Sequence, residues 1–450
     1  LSKGELTKIA GKYLMKNKYI IILFLILVGL AVFSPAPKRV LTDIISQTSP
    51  EGFSVSWPAM RYYLEPLTAT AEYFLSFTRY IVQLASWLFW LFVLALGIGI
   101  SKKDKFKNIL LRVLKFELGI ISLVMLVLFV PLPAPRLNAP QSFEISDFHS
   151  HTFFSHDGLA SPKRSLFYHD KLGFNSFYDT EHGHTDGFDK FPADKRLTTV
   201  YPGMQVSTTE RVSLLVLADK PYDGKLYRDK PVKEVIELAH KNGFIVVCPH
   251  WWKWRYFTWQ QLYDLGIDGF EIYNAGYRKF TPEERRKLID FCKEKNLLMT
   301  GDTDWHGWGY LSNVWTAVER PAGSQTLDFQ ALRKHITTKV LVLQRPGEIQ
   351  GLLRYVFEPF VGSYYYFGSI GKRQAFYWII WLLMLTVVSR IGLLRLMPLA
   401  LSAIFAGFCA WSVIIWIPLL PENQVLGKLI APLFLAISAG WLLVFKIKNK

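Results

Sequence analysis

Three cysteines in 450 residues, Cys248, Cys292 and Cys409, are an odd number and too few for a disulfide framework. Charged residues make up only 20% of the chain, while 51% is hydrophobic and 15% aromatic, more apolar than a soluble globular protein normally is. Histidine is absent before His149 and after His335. No repeat at a fixed period and no low-complexity tract is present, which excludes solenoids and propellers.

Much of the chain reads as lipid-embedded. Apolar runs near 19–34, 73–100, 109–132, 374–390, 396–420 and 425–446 approach the roughly 20 helical residues that cross a hydrocarbon core. They are expected to form three transmembrane helices within 1–139 and three within 346–450, leaving 140–345 as a polar central domain. A net charge of +16 could suit a nucleic-acid partner, but the basic residues cluster beside the apolar runs. Lys3, Lys8, Lys12, Lys16 and Lys18 precede the first run, Lys102, Lys103, Lys105 and Lys107 follow the second, and Lys446, Lys448 and Lys450 follow the last. That is the positive-inside pattern, and no nucleic acid is expected. The rule puts these clusters in the cytoplasm and the central domain outside, with Lys372 and Arg373 outvoted. The expected setting is therefore a bacterial-type inner membrane with a periplasmic domain. The first run also resembles a signal peptide, but its length and Pro35 favour an uncleaved anchor.

The Pro-rich stretch "PLPAPRLNAPQ" at 131–141 marks the domain entry as a stiff linker. Beyond it, short apolar strands alternate with amphipathic helices. Helices start on turn residues such as Thr281-Pro282 and stop at glycines such as Gly173 and Gly243. This order predicts an α/β domain with a largely parallel sheet, closed or nearly closed as a barrel. Sites in such barrels form on loops after the strands' C-terminal ends. His149 and His151 follow "FEISDF", His182 follows "FNSFYDTE", His250 closes "FIVVCPH", and Asp304 and His306 close "NLLMTGDTDWH". Four strand ends thus carry imidazole and carboxylate toward one mouth.

Those residues resemble the PHP family, the polymerase and histidinol-phosphatase type of metal-dependent phosphoesterase. The resemblance covers about 143–345 and rests on "DFHSHTFFSHDG", "FYDTEHGH", "YPGMQVSTTE", "FIVVCPH", "GIDGFEIYN" and "TGDTDWHG" in family order. It implies a distorted (β/α)7-type barrel and up to three divalent ions, zinc or manganese first and iron next. By the resemblance, His149, His151 and Asp304 ligate one ion, Asp157, His182 and His306 another, and His250 the remaining one. Two departures stand out. The family's bridging glutamate is Gln205 here, and a later histidine is Ser213; Glu181 for an aspartate keeps its charge. A neutral amide cannot neutralise two cations, so fewer than three ions are expected.

Hydrolysis of a phosphate ester also needs positive charge near the phosphate. Arg164, Arg255 and Arg278, with Lys163 and Lys279, fall on strand-to-helix loops and are the candidate substrate-binding residues. Asp304 and His250 are the candidate catalytic pair, with His250 as general acid to the leaving oxygen. His156, His169, His184, His240 and His335 match no motif position and read as ordinary polar residues. The run "HWWKWRYFTW" at 250–259 and "DWHGWGY" at 304–310 read either as packing at the barrel mouth or as a rim touching lipid headgroups. The expected partners are membrane lipids, a phosphorylated small-molecule or lipid-linked substrate, and a membrane protein complex. The rival function is a metal-binding pseudoenzyme serving as a structural subunit of such a complex.

Overall fold

Runs such as Ile245–Cys248 and Ser213–Leu217 are apolar at nearly every position and buried throughout, the pattern of strands covered on both faces. The computed structural model describes residues 40–75, 80–129, 133–192, 198–253, 256–275, 280–307, 313–321, 338–344, 356–421 and 424–448, with isolated positions at 22, 25, 29, 32, 33, 329 and 332. The expected first span, 19–34, lies almost wholly outside them, as do Arg255, Arg278, Lys279 and His335.

Twelve strands are present among the described residues. They are β1 (Val40–Asp43), β2 (Ser54–Ser56), β3 (Arg136–Asn138), β4 (Phe143–Ser150), β5 (Ser176–Asp179), β6 (Thr199–Ser207), β7 (Ser213–Leu217), β8 (Ile245–Cys248), β9 (Gly269–Asn274), β10 (Leu298–Asp302), β11 (Val314–Glu319) and β12 (Thr338–Gln344). Ten of them form one sheet in the order β1-β12-β11-β4-β5-β6-β7-β8-β9-β10, and β2 pairs with β3. The sheet curls until the end of β10 meets the end of β4. There Ser150 and Trp305 form a parallel bridge, Asp304 N donates to His149 O at 2.8 Å, and His151 N donates to Trp305 O at 2.8 Å. Phe148, Tyr178, Leu215, Ile245 and Leu298, from five strands spread across the sheet, pack into one cluster, as the curl requires.

The curled α/β sheet is as expected, but it is less parallel than the α/β pattern predicts. The β6–β7 and β7–β8 pairs are antiparallel. Only 208–212 separate β6 from β7, too few residues for a parallel crossover, so the chain turns back as a hairpin. β11 pairs antiparallel with β4, and β1, from the N-terminal region, pairs antiparallel with β12. The Pro-rich linker is partly β3.

The helices covering the sheet begin and end where their side chains dictate. Thr281 Oγ1 accepts Glu284 N at 3.1 Å while the Glu284 carboxylate accepts Thr281 N, a reciprocal cap on Pro282–Lys295. Ser161 caps Pro162–Leu172, which ends on Gly173 at φ +90, where a Cβ would stand 2.3 Å from Leu137 O.

Among the described residues three helical stretches are long and apolar enough to span a membrane: Gln83–Ser101, Met397–Leu419 and Gly427–Ile447. Two other expected spans are helical but less apolar. Phe106–Phe129 carries Lys107, Arg112, Lys115 and Glu117 in its first half, and Lys372–Arg390 is bracketed by cations. Leu118, Met125, Phe405, Trp416, Phe434 and Trp441 pack the second, fourth and last of these five helices together, and Leu159 of the central domain belongs to the same cluster.

Candidate metal centre

The rim where β10 meets β4 gathers every histidine the motifs single out. His151, His182 and His306 place their ring nitrogens within 4.8 Å of one another, and His149, His250 and Asp304 form a second such group. The His151 ring stacks on His182 at 4.4 Å and on His306 at 4.2 Å. Asp157 reaches both outer rings, with Oδ1 3.4 Å from His182 Nε2 and Oδ2 3.4 Å from His306 Nε2. Asp304 Oδ1 lies 3.2 Å from His149 Nε2 and 3.4 Å from His151 Nε2, between the two groups.

Backbone geometry aims these residues. His250, after β8, and Asp304, after β10, both hold positive φ, +30 and +49. Non-glycine residues in such regions cost about 1–3 kcal/mol and persist where surrounding structure enforces them. The enforcement is visible at His250, whose N donates to Glu271 Oε2 at 2.6 Å.

Charge in this centre is finely divided. Burial alone would lower His149, but the carboxylates of Asp304 and Glu271 outweigh it and hold the imidazole up at about 10. Burial, with the imidazoles of His306 and His182 close by, pushes His151 well below its ordinary value, so it stays neutral. Burial would raise Asp304, yet His149, His151 and His306 hold it well below the usual carboxylate range. His306 is lowered by burial and raised further by Asp157 and Asp304, ending at about 8.

These residues suit a divalent cation. Nitrogen and carboxylate oxygen donors are those of zinc, manganese and iron sites. Two ligand atoms each about 2.1 Å from a tetrahedral ion stand about 3.4 Å apart, close to the spacings above and longer than a charge-assisted hydrogen bond of about 2.7–2.9 Å. His151 Nε2 is buried and makes no hydrogen bond, while Nδ1 lies 3.1 Å from Ser155 Oγ, leaving the Nε2 lone pair directed at the cluster.

The triads the resemblance implies are in contact, with Asp304 beside His149 and His151 and Asp157 beside His182 and His306. His250 also comes within ligand distance of His149 and Asp304, and His151 of His182 and His306. Gln205 explains why the second group is crowded: its Oε1 accepts from His149 Nε2 at 3.2 Å and its Nε2 donates to His250 Nε2 at 3.1 Å. Ser213, the other departure, is buried on β7 opposite Ser207 and lines a small cavity with Cys248, Pro249 and Trp251.

Other residues gain roles the motifs did not assign. Glu271, fully buried, accepts from Asn274 Nδ2 and lies 3.3 Å from His149 Nδ1, so it orients that ring from behind; its place in "GIDGFEIYN" was the available signal. His156 joins Asp157 and His182 within ligand distance, although its side chain is 61% exposed. His169 is buried, stacks on Phe177 at 3.9 Å and meets Asp147 Oδ2 at 3.1 Å, a brace behind β4. His240 pairs with Asp268, and His184 Nε2 donates to Phe154 O.

Arg164 is half-buried with its guanidinium 5.6 Å from the Tyr168 ring. The aromatic run is mostly packing. Trp252 stacks on Phe280 at 4.5 Å, Trp251 Nε1 donates to Phe257 O, and Trp305 is buried beside Tyr168. Tyr256 is exposed, and Trp254, Trp308 and Tyr310 lie outside the described residues.

No family model matches the chain, and no curated protein matches it. Solved structures do. A two-domain protein from Bacteroides vulgatus containing a predicted PHP-like metal-dependent phosphoesterase is 20% identical over 48% of this chain and 69% of its own, with a TM-score of 0.35. PsfC from Pseudomonas syringae is 17% identical over 51% of this chain and all of its own, with a TM-score of 0.35. A lesion-specific endonuclease from Pyrococcus furiosus is 14% identical over 44% of this chain and 57% of its own, with a TM-score of 0.32.

Proposed function

We propose that this chain is a membrane-anchored metal-dependent phosphoesterase whose central domain lies outside the cytoplasm and hydrolyses a phosphate ester carried on a lipid. The observation that carries this reading is the convergence of His149, His151, Asp157, His182, His250, Asp304 and His306 on one rim in two donor groups. In it, those residues hold one divalent ion. Bound there, the ion would supply Lewis-acid polarisation of the phosphate and more acidic water. The chain's own residues do the rest. Asp304 draws His149 and His151 together, and Glu271 fixes His149. His250, whose Nε2 accepts from the Gln205 amide, is the general acid to the leaving oxygen once a proton replaces that contact and makes the ring imidazolium. Arg164, Arg255 and Arg278 position the phosphate.

Support for a lipid-borne substrate comes from Leu159. It lies two residues from Asp157, at most about 7 Å along the chain, and is buried among the apolar helices. A centre so close to helices fit to span a bilayer suits a phosphate at headgroup depth. The test offers purified protein a phosphomonoester in vesicles, a soluble aryl phosphate and duplex DNA. Turnover of the vesicle substrate is expected, and no turnover by metal-replete protein on any of them would overturn the enzyme reading. Orientation is tested separately: a cysteine at exposed Asp223 should react with an impermeant thiol reagent in intact cells, and labelling only after lysis would reverse it.

One observation favours the rival pseudoenzyme. Gln205 uses both ends of its amide on His149 and His250, so those rings are bridged through hydrogen bonds without an ion. Metal content with no turnover, and an assembly that survives His151→Ala, would select it.

A further inference from the structure

The loop that carries Asp157 is held from two sides. From inside, Glu181 accepts from Thr152 N at 2.8 Å, from Thr152 Oγ1 and from Ser155 Oγ. Ser155 Oγ also receives His182 N and meets His151 Nδ1, so the loop's shape and two imidazoles are linked. Gly158 admits no side chain, since a Cβ there would stand 1.8 Å from Thr152 O, and Leu159 N donates to His306 O at 2.6 Å.

From outside, the loop is met by a residue 267 positions beyond Asp157 in the chain. Gln424, fully buried, stands at the start of the last apolar helix, Val425–Lys448. Its Nε2 donates to Ser155 O at 2.7 Å and Gly158 O at 2.5 Å and lies 3.3 Å from Phe153 O, while its Oε1 accepts Gly427 N at 2.9 Å. Three loop carbonyls thus converge on one amide group. Buried carbonyls deprived of a donor are costly, which gives this contact authority over the loop's conformation. Leu159, packed with Trp416, Ile430 and Phe434, ties the same loop to the same helices.

We infer that Gln424 is a positioning residue for the metal centre: the C-terminal membrane region sets the place of Asp157 and, through Ser155, of His151 and His182. The inference rests on the reading of these residues as metal ligands, and it is tested by metal binding instead of turnover. Gln424→Leu keeps the volume and removes both donor and acceptor. In full-length protein in nanodiscs, manganese titration followed by electron paramagnetic resonance should show one class of site weakened about 10–100-fold, the range seen when ligand-orienting partners are lost. Gln424→Asn, one methylene shorter, covers the case in which the leucine variant fails to fold, and should weaken the same class. Ser438→Ala is the control. It removes a buried helix–helix hydrogen bond, Ser438 to Ser402, that does not reach the loop, and should leave manganese affinity unchanged. Wild-type affinity in a folded Gln424→Asn or Gln424→Leu protein would overturn the inference while leaving the metal centre standing. Equal weakening by Ser438→Ala would also overturn it, by showing a general effect of helix packing. Wild-type protein that binds no manganese would sink both readings together.

Discussion

The two donor groups at the β4–β10 rim are built from the same residue types and hold their protons differently. Around Asp157 two of the three imidazoles are poised for a cation, His151 being held neutral and His182 lowered by burial although Asp157 opposes it, while His306, held up at about 8 by Asp157 and Asp304, gives up its proton to a bound ion. Around Gln205 the centre already contains its own cation, because His149 is held protonated to about 10 between Asp304 and Glu271. Asp304 and Glu271 hold that proton, and what the amide at position 205 changes is the charge available to a second ion. A glutamate at position 205 would add the negative charge that a second ion needs, whereas the amide satisfies His149 and His250 by hydrogen bonds. The first group is therefore ready for metal and the second is balanced without it.

The largest way to break this contrast is His151→Ala. It removes the neutral imidazole stacked between His182 and His306, and with it a ligand, so metal affinity and turnover should each fall at least a hundredfold while the protein still folds and inserts. Elemental analysis beside circular dichroism checks both parts. Next in size is Gln205→Glu with Ser213→His, which should give the second group the charge it lacks and raise bound metal by up to one ion per chain. Glu271→Gln should be milder. It keeps the contact with Asn274 but weakens the hold on His149, and when combined with Gln205→Glu and Ser213→His it should lower metal affinity in the second group about tenfold by titration.

The smallest effect is on pH dependence. In chelator-treated protein His306 is raised from 6.5 to about 8, so its contribution, of order 2 kcal/mol, is fully present below pH 6.5 and is lost as pH rises through 8. Metal-free protein should therefore melt at lower temperature at pH 9 than at pH 6.5, and loading with metal should flatten that slope, since ions replace the protons. A metal-free melting curve indifferent to pH over this window would contradict the charge assignment for the first group.

Six of the seven ligand candidates stand at strand ends that close on His or Asp, whereas Asp157 followed from the family resemblance alone, and the fold brings all seven to one rim. The contact of Gln205 with both His149 and His250, reaching across from β6, has no signal in spacing. A curled α/β sheet followed from the alternation of strands and helices, but the antiparallel β6–β7–β8 run turned on a short connection that periodicity does not weigh. Gln424 was invisible for a different reason. A single glutamine beside an apolar helix has no pattern, and its partners are backbone carbonyls of a loop far away in sequence. The two less apolar helices show the limit of reading hydropathy by eye, since Arg112, Lys115 and Glu117 sit inside a run that otherwise looks lipid-facing.

Elemental analysis of the purified full-length protein counts the metal ions per chain and so decides whether only the Asp157 side is ready for an ion. One divalent ion is expected, lost in His151→Ala, with a second bound only after Gln205→Glu with Ser213→His. A count of zero, or of two or more in the unmodified protein, would be incompatible with a second group satisfied by the Gln205 amide.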